Sequence, residues 1–477
     1  MRSAVQVVAF RHFRWRFLLA CLLAAVLQTP PFAEAITSSP HQRQGAGGAG
    51  VRCPRVGTTD KDVHIETPYY SNMKELSGLS LSQSQTTADG HPIFFAVSDS
   101  GAGPVLGMWN GKTGQLLRQL KVVGVENQDW EDMALGSCGN LPATATGNGA
   151  SSSRTTGKRK NKHKKDQQCL YIGDIGDNNA RTSDGRLTSR ANGVYRIYKM
   201  LEPQLGDLST SGIYGNQTQI ELPVLQTLYF DYSHPSSPTA HADSEAIFLD
   251  HTGWGEDEEV GDIYVMTKWN AGTTGTADRL NRIFRIPVTV WGSYDIEETP
   301  YPVEAIGSYS GVKSNKGIMG RTWNRADMSA DGTLISLGAS LQSHFFLRCP
   351  GATIAQVLAP PLDSTDSDKE MQKCHTYQNH IEGKVESCGF RADGNAFLQF
   401  AEGDSPPMEW TELLYDGIQE DDSDEVWECP IPRYYDGTCK SHLDAEAPLP
   451  STWSSTMWSS TMWSSTMWSS TRWLSTR

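Results

Sequence analysis

The chain has 477 residues, with 55 acidic against 41 basic side chains, a net charge of −14, 38% hydrophobic residues and nine cysteines. So acidic a chain is a poor partner for nucleic acid and is better suited to solution or to binding cations. Past the N-terminus no stretch is apolar and long enough to span a bilayer.

The N-terminus carries Arg2, Arg11, Arg14 and Arg16 ahead of the apolar run Phe17–Leu27, then Pro30-Pro31 and Ala33-Glu34-Ala35. Basic flank, short apolar run and small-residue site in that order predict a secretory signal, residues 1–35, cleaved after Ala35. The competing reading is an uncleaved N-terminal signal anchor, but the run falls well short of the roughly 20 residues that cross a bilayer. Export places the cysteines other than Cys21 in an oxidising compartment, where an even count predicts disulfides. No C-x-x-C pair suggests structural zinc. Closure of local loops favours Cys138–Cys169, Cys349–Cys374 and Cys429–Cys439, which leaves Cys53 for Cys388. Asn216-Gln217-Thr218 is a glycosylation sequon, so a glycoprotein is expected.

Three segments lack the pattern of folded chain. Residues 36–60 are rich in Gly, Ser and Thr and read as a linker. Residues 139–168 form a low-complexity insertion ending in the basic run Lys158–Lys165, expected to be a solvated surface loop. In the tail, 437–477, Ser-Ser-Thr-Met-Trp recurs with Trp453, Trp458, Trp463, Trp468 and Trp473, a spacing that fits neither helix nor strand.

Between residues 61 and 436 short β-branched and aromatic runs alternate with Gly, Asp and Asn turns, as at Ile93–Val97, Leu170–Gly173, Asp262–Thr267, Arg282–Ile286 and Thr333–Leu337. Many short strands predict an all-β sandwich, barrel or propeller. Repetition selects the propeller. One module, an acidic residue among small or apolar neighbours followed by two strands, begins at Glu75, Asp129 and Asp243, and more weakly at Arg325 and Val385. The weaker copies share the turns Ala330-Asp331-Gly332 and Ala392-Asp393-Gly394. The prediction is a β-propeller with five visible modules, hence five or six blades, in which residues 62–66 close the ring against the last blade. If each acid starts an innermost strand, Glu75, Glu131, Glu245, Asp327 and Glu386 point into one central channel.

The stretches Glu75–Ser80, Ser98–Gly101, Asn127–Ala134, Tyr171–Arg181, Ala242–Ile247, Tyr264–Lys268 and Val385–Gly394 carry a further likeness. With its D-W-E-D and G-D-I-G-D-N motifs, the chain over residues 70–410 resembles secreted, uncharacterised propeller proteins of actinobacteria, algae and protists. These are related at fold level to phytase-like and TolB-like propellers. The resemblance implies the fold and hardly an activity.

Acids crowded at a channel mouth raise one another's pKa unless a cation neutralises them. Glu75, Asp99, Glu131, Asp132, Asp174, Asp177, Asp243, Glu245 and Glu386, with Asn178, offer hard oxygen ligands suited to calcium. The metal set backed here is Glu75, Glu131, Asp174, Asp177, Glu245 and Glu386. Individually, each acid can instead cap a turn or pair with Arg or Lys. Asp174–Arg181 reads equally as a ligand-facing turn or a hydrogen-bonded connection. Lys268 and Arg181 are candidate cations, and His241 a candidate general base, so His241 and Lys268 are the catalytic candidates. The expected function is a monomeric, calcium-stabilised extracellular binding module for a small molecule or extracellular ligand. The alternative is a metal-dependent phosphoester or ester hydrolase of phytase-like type.

Overall fold

The computed structural model describes residues 53–66, 73, 75–99, 102–139, 167–177, 190, 193–207, 220–233, 242–255, 257–269, 281–309, 323–358, 373–403 and 405–415. The signal segment, Asn178, Arg181, Asn216, His241, Cys429, Cys439 and the Trp-repeat tail lie outside these residues, as does most of the basic insertion.

In chain order the strands are β1 (Arg55–His64), β2 (Leu76–Thr86), β3 (Pro92–Ser98), β4 (Val105–Asn110), β5 (Leu116–Val123), β6 (Trp130–Ser137), β7 (Gln168–Asp174) and β8 (Tyr195–Leu201). Next come β9 (Ile220–Pro223), β10 (Gln226–Asp231), β11 (Asp243–Leu249), β12 (Ile263–Trp269), β13 (Asn281–Ile286), β14 (Tyr301–Pro302) and β15 (Glu304–Tyr309). The series ends with β16 (Arg325–Met328), β17 (Leu334–Ala339), β18 (Gln342–Leu347), the short helix α1 (Ile354–Leu358), β19 (Lys373–Gln378), β20 (Val385–Phe390), β21 (Ala396–Ala401) and β22 (Pro407–Leu414).

These strands form five sheets, ordered β2-β3-β4-β5-β9, β6-β7-β8-β10-β14, β11-β12-β13-β15, β16-β17-β18-β19 and β20-β21-β22-β1. The first strand of each sheet meets the first strand of the next, and β20 returns to β2. The protein is a five-bladed β-propeller. β1 is the outer strand of the fifth blade and runs antiparallel to β22, from Arg55 opposite Leu414 to His64 opposite Pro407. Closure from the N-terminus is therefore as expected, but the strand starts at Arg55, inside the segment read as linker.

No sixth blade occurs among the described residues. The long gaps between modules hold outer strands instead. β9 lies parallel to β5 and widens the first blade, and β14 lies parallel to β10 and widens the second.

Each blade is buried on both faces, which is why its strands read as nearly unbroken apolar runs. In β3, Ile93, Phe95 and Val97 pack towards the second blade, whereas Phe94 and Ala96 pack towards the fifth. In β12, Ile263 and Val265 face the second blade and Tyr264 and Met266 the fourth. Successive side chains on a strand point to opposite faces, so one run supplies two interfaces. The repeated turns are legible too: Asp331 and Asp393 accept the backbone N–H two residues on, and Gly332 and Gly394 both sit at φ +70°.

The disulfides match the expectation in part. Cys138–Cys169 forms as expected. Cys53 bridges Cys374 across 321 residues of sequence, not Cys388, and so Cys349–Cys374 does not form. Cys388 is free and buried on the innermost strand β20, whereas Cys53 lies beside the outer edge of the ring. Loop-length reasoning cannot see that separation. Cys349 is itself disulfide-bonded.

The Cys53–Cys374 bridge ties the entry to β1 to the outer strand of the fourth blade. Replacing both cysteines by Ser is expected to lower stability by about 2–4 kcal/mol, read as a lower denaturant midpoint under non-reducing conditions. An unchanged midpoint would show that strand pairing alone holds the ring shut.

Candidate functional site

Innermost strands β2, β6, β11 and β20 share a device at their N-terminal ends. Each carries one extra residue against its partner strand: Gly78 in β2, Glu131 in β6, Glu245 in β11 and Glu386 in β20. Such β-bulges re-aim a side chain that regular pairing would send elsewhere. Gly78 is at φ +61°, and a Cβ there would also run into the backbone of Asp132. The fourth blade differs: β16 pairs with β17 in regular register, and Asp327 Oδ2 accepts the Phe390 N–H at 2.7 Å across the blade boundary. The equivalence expected for Glu75 and Asp327 is thus not kept. Glu75 precedes β2 and is exposed, and the position matching Glu131 in the first blade is Gly78.

Two of the bulged glutamates, Glu131 and Glu245, converge with the strand-end aspartates Asp99, Asp129 and Asp243. Asp99, Asp129 and Glu131 bring one carboxylate oxygen each within 4.8 Å of one another, and so do Glu131, Asp243 and Glu245. A third group, Glu75, Asp99 and Glu402, is more open to solvent. Burial, reinforced by Glu245, Asp99, Asp129 and Asp243, pushes Glu131 well above the ordinary carboxylate range. Burial and the neighbouring Asp99 charge push Asp129 up to about 7, against the pull of Arg190.

A strut behind the site fixes its shape. Arg190, fully buried, donates to Asp174 Oδ1 at 2.8 Å and to the Gly176 carbonyl at 2.8 Å. Asp174 Oδ1 also accepts the Asp129 N–H at 3.0 Å, while Tyr198 donates to its Oδ2 at 3.2 Å. Asp174 is therefore a structural anchor outside the converging groups. Asp177 is similar: its N–H donates to Asp243 Oδ1 at 2.9 Å, and its Oδ2 accepts from Tyr195 at 3.1 Å. Gly176 lies directly against the acids, since a Cβ there would collide with Glu131 Oε1 and Asp129 Oδ2. The G-D-I-G-D stretch thus shapes the site from behind.

Two lysines flank the cluster. Lys268 contacts Glu245 Oε1, and Lys384 contacts Glu386 Oε1 and reaches Glu402 at 3.2 Å. Burial lifts Glu386 to about 7, with Lys384 opposing it. Of the six acids backed as ligands, Glu131 and Glu245 meet in one group, Glu75 stands in the outer group, and Asp174, Asp177 and Glu386 are engaged elsewhere. Sequence reasoning passed over Asp129 and Glu402 as ligands. Asp129 had a signal, as the first acid of D-W-E-D; Glu402, at the end of β21, had none. Of the two catalytic candidates, Lys268 is at the site and His241 lies outside the described residues.

No family model matches the chain, and no curated protein matches it. Among solved structures it is similar to Kuenenia stuttgartiensis hydrazine synthase, at 9% identity and a TM-score of 0.30, over 66% of this chain and 67% of that one. A likeness that distant carries no argument about activity.

Asp129 and Glu386, with folded-state values of about 7, hold protons that the unfolded chain has released above roughly pH 4. Their contribution to stability is present below that range and is lost as pH rises through about 7. Asp250, held low by Arg348 despite its burial, acts only at more acid pH. Chelator-treated protein should therefore melt at a lower temperature at about pH 7.5 than at about pH 5.5, and Asp129→Asn should narrow the gap. Equal melting temperatures would show that these carboxylates ionise normally.

Proposed function

We propose that this propeller is an extracellular binding module whose ring is stabilised by calcium held at Glu131, Asp243 and Glu245. The observation that carries the reading is that these three buried carboxylates converge within 4.8 Å of one another, with Lys268 as the adjoining cation. Like charges withdrawn from water repel and lose hydration, and a hard divalent cation relieves both costs. The donors are all carboxylate oxygens, with no Cys or His in any such group among the described residues, which suits calcium better than zinc or copper.

The Cys53–Cys374 and Cys138–Cys169 bridges support an oxidising compartment, as does the N-terminal pattern of basic flank, apolar run and small-residue site. Among the described residues no helix is long and apolar enough to cross a membrane. A phosphoester hydrolase would need a cation to meet its substrate, and Lys268 is engaged with Glu245. That pairing favours binding over hydrolysis.

Calcium should raise the melting temperature, with a gain of about 2.7 kcal/mol at a hundredfold excess over the dissociation constant. The gain should be larger at about pH 7.5 than at about pH 5.5, because the cation displaces the proton that burial keeps on Glu131. Asp243→Asn and Glu245→Gln should each abolish most of it, with no turnover of phosphoesters or lactones. A melt indifferent to calcium and chelator would sink the reading. Calcium-dependent turnover lost in Asp243→Asn would assign the hydrolase instead.

A further inference from the structure

The converging carboxylates are two groups that share a corner. Asp99 and Asp129 stand on one side of Glu131, and Asp243 and Glu245 on the other. The five residues do not form a single group with mutual contact, so one ion cannot be held by all of them at once.

Glu131 is 4% exposed, and no hydrogen bond or ion pair reaches its carboxylate from the described residues, although its backbone carbonyl accepts from Ser77. Oδ1 of Asp129, a residue 5% exposed, likewise receives no hydrogen bond from them. Other buried acids of this protein are treated differently. Asp174 has Arg190 and Tyr198; Asp250 has Arg348; Glu409 has Tyr377 and Gln399. A fold that supplies donors to its buried acids elsewhere withholds them here. An unpaired buried carboxylate costs several kcal/mol, so the withheld partner is a ligand from solution.

Geometry sets the number of ions: Asp99 and Asp129 meet Glu131 in one group, Asp243 and Glu245 meet it in the other, and Lys268 adjoins Glu245. Gly176 keeps the back of the site free of side-chain atoms next to both Asp129 and Glu131.

We infer that this cluster is a two-cation site, in which the Glu131 carboxylate bridges one hard divalent cation held with Asp99 and Asp129 and a second held with Asp243 and Glu245. The inference rests on the calcium reading above for the second position and adds the first. Calcium takes six to eight oxygens, so each position keeps places for water or for an oxygen of a bound ligand.

The test is calcium titration of the full secreted chain by calorimetry, with calcium as the sole ligand. Two ions per chain are expected. Asp129→Asn should remove one, Asp243→Asn the other, and Glu131→Gln should weaken both at least tenfold. Should Glu131→Gln misfold, manganese paramagnetic resonance on the parent protein decides: spin-coupled ions at two equivalents support the pair, and isolated six-line spectra overturn it. One ion per chain, lost in Asp243→Asn and retained in Asp129→Asn, overturns the pair and leaves the calcium-stabilised module standing. No calcium binding overturns both.

Discussion

Like charges held together out of water are the constraint around which this propeller is organised. Glu131 and its neighbours repel one another and sit where solvent cannot screen them. Nothing local to a single blade holds them in place, because each blade supplies only one or two. The ring does so, by packing blade against blade around the axis. The alternating faces of β3 and β12 show how one strand serves two such interfaces. Closure by β1 on β22 matters for the same reason: without it the fifth blade would present an open edge, and the inner strands could spread to relieve the repulsion.

The second layer of support is polar. Arg190 joins Asp174, Gly176 and the Asp129 carbonyl, so one guanidinium sets the positions of the two chain segments that carry or abut the acids. Asn127 has a comparable role at the first blade, donating to the Ser98 and Asp99 carbonyls while accepting the Trp130 N–H. A buried ion pair such as Arg190 with Asp174 contributes little net stability, but breaking it leaves an uncompensated charge. Its value here is positional.

Much of the fold was legible because propeller strands declare themselves. Each module has an acid, a turn and two strands, and the copies at Glu75, Asp129, Asp243, Arg325 and Val385 correspond to the inner strands of the five sheets. The parallel outer strands β9 and β14 were not legible, being short and joined to blades that end well before them in sequence. At the site, residue type was readable and register was not. Glu131 and Glu245 point inward because each is a bulge residue, and a bulge is a property of how two strands pair. Glu75 looked equivalent by its neighbours Leu76 and Ser77, yet the bulge in its blade falls at Gly78. Asp174 and Asp177 looked like ligands because they are dense in sequence, but the chain spends them on Arg190, Tyr198 and Tyr195.

The unbulged fourth blade explains why the centre is lopsided. β16 has no extra residue to re-aim, and it begins with Arg325, fully buried and held near 10 by its burial, with donors directed at the Val385 carbonyl and Ser343. A cation there cannot join a divalent ion, and among the described residues the converging acids lie on the first, second, third and fifth blades. Lys384 and Glu386 of the fifth blade stand beside them as a pair. Five similar modules with one broken repeat thus produce a site with a definite orientation. A ligand meeting it would find the converging acids and their lysines on four blades and none of them on the fourth blade, and a fully symmetric ring would offer no such distinction.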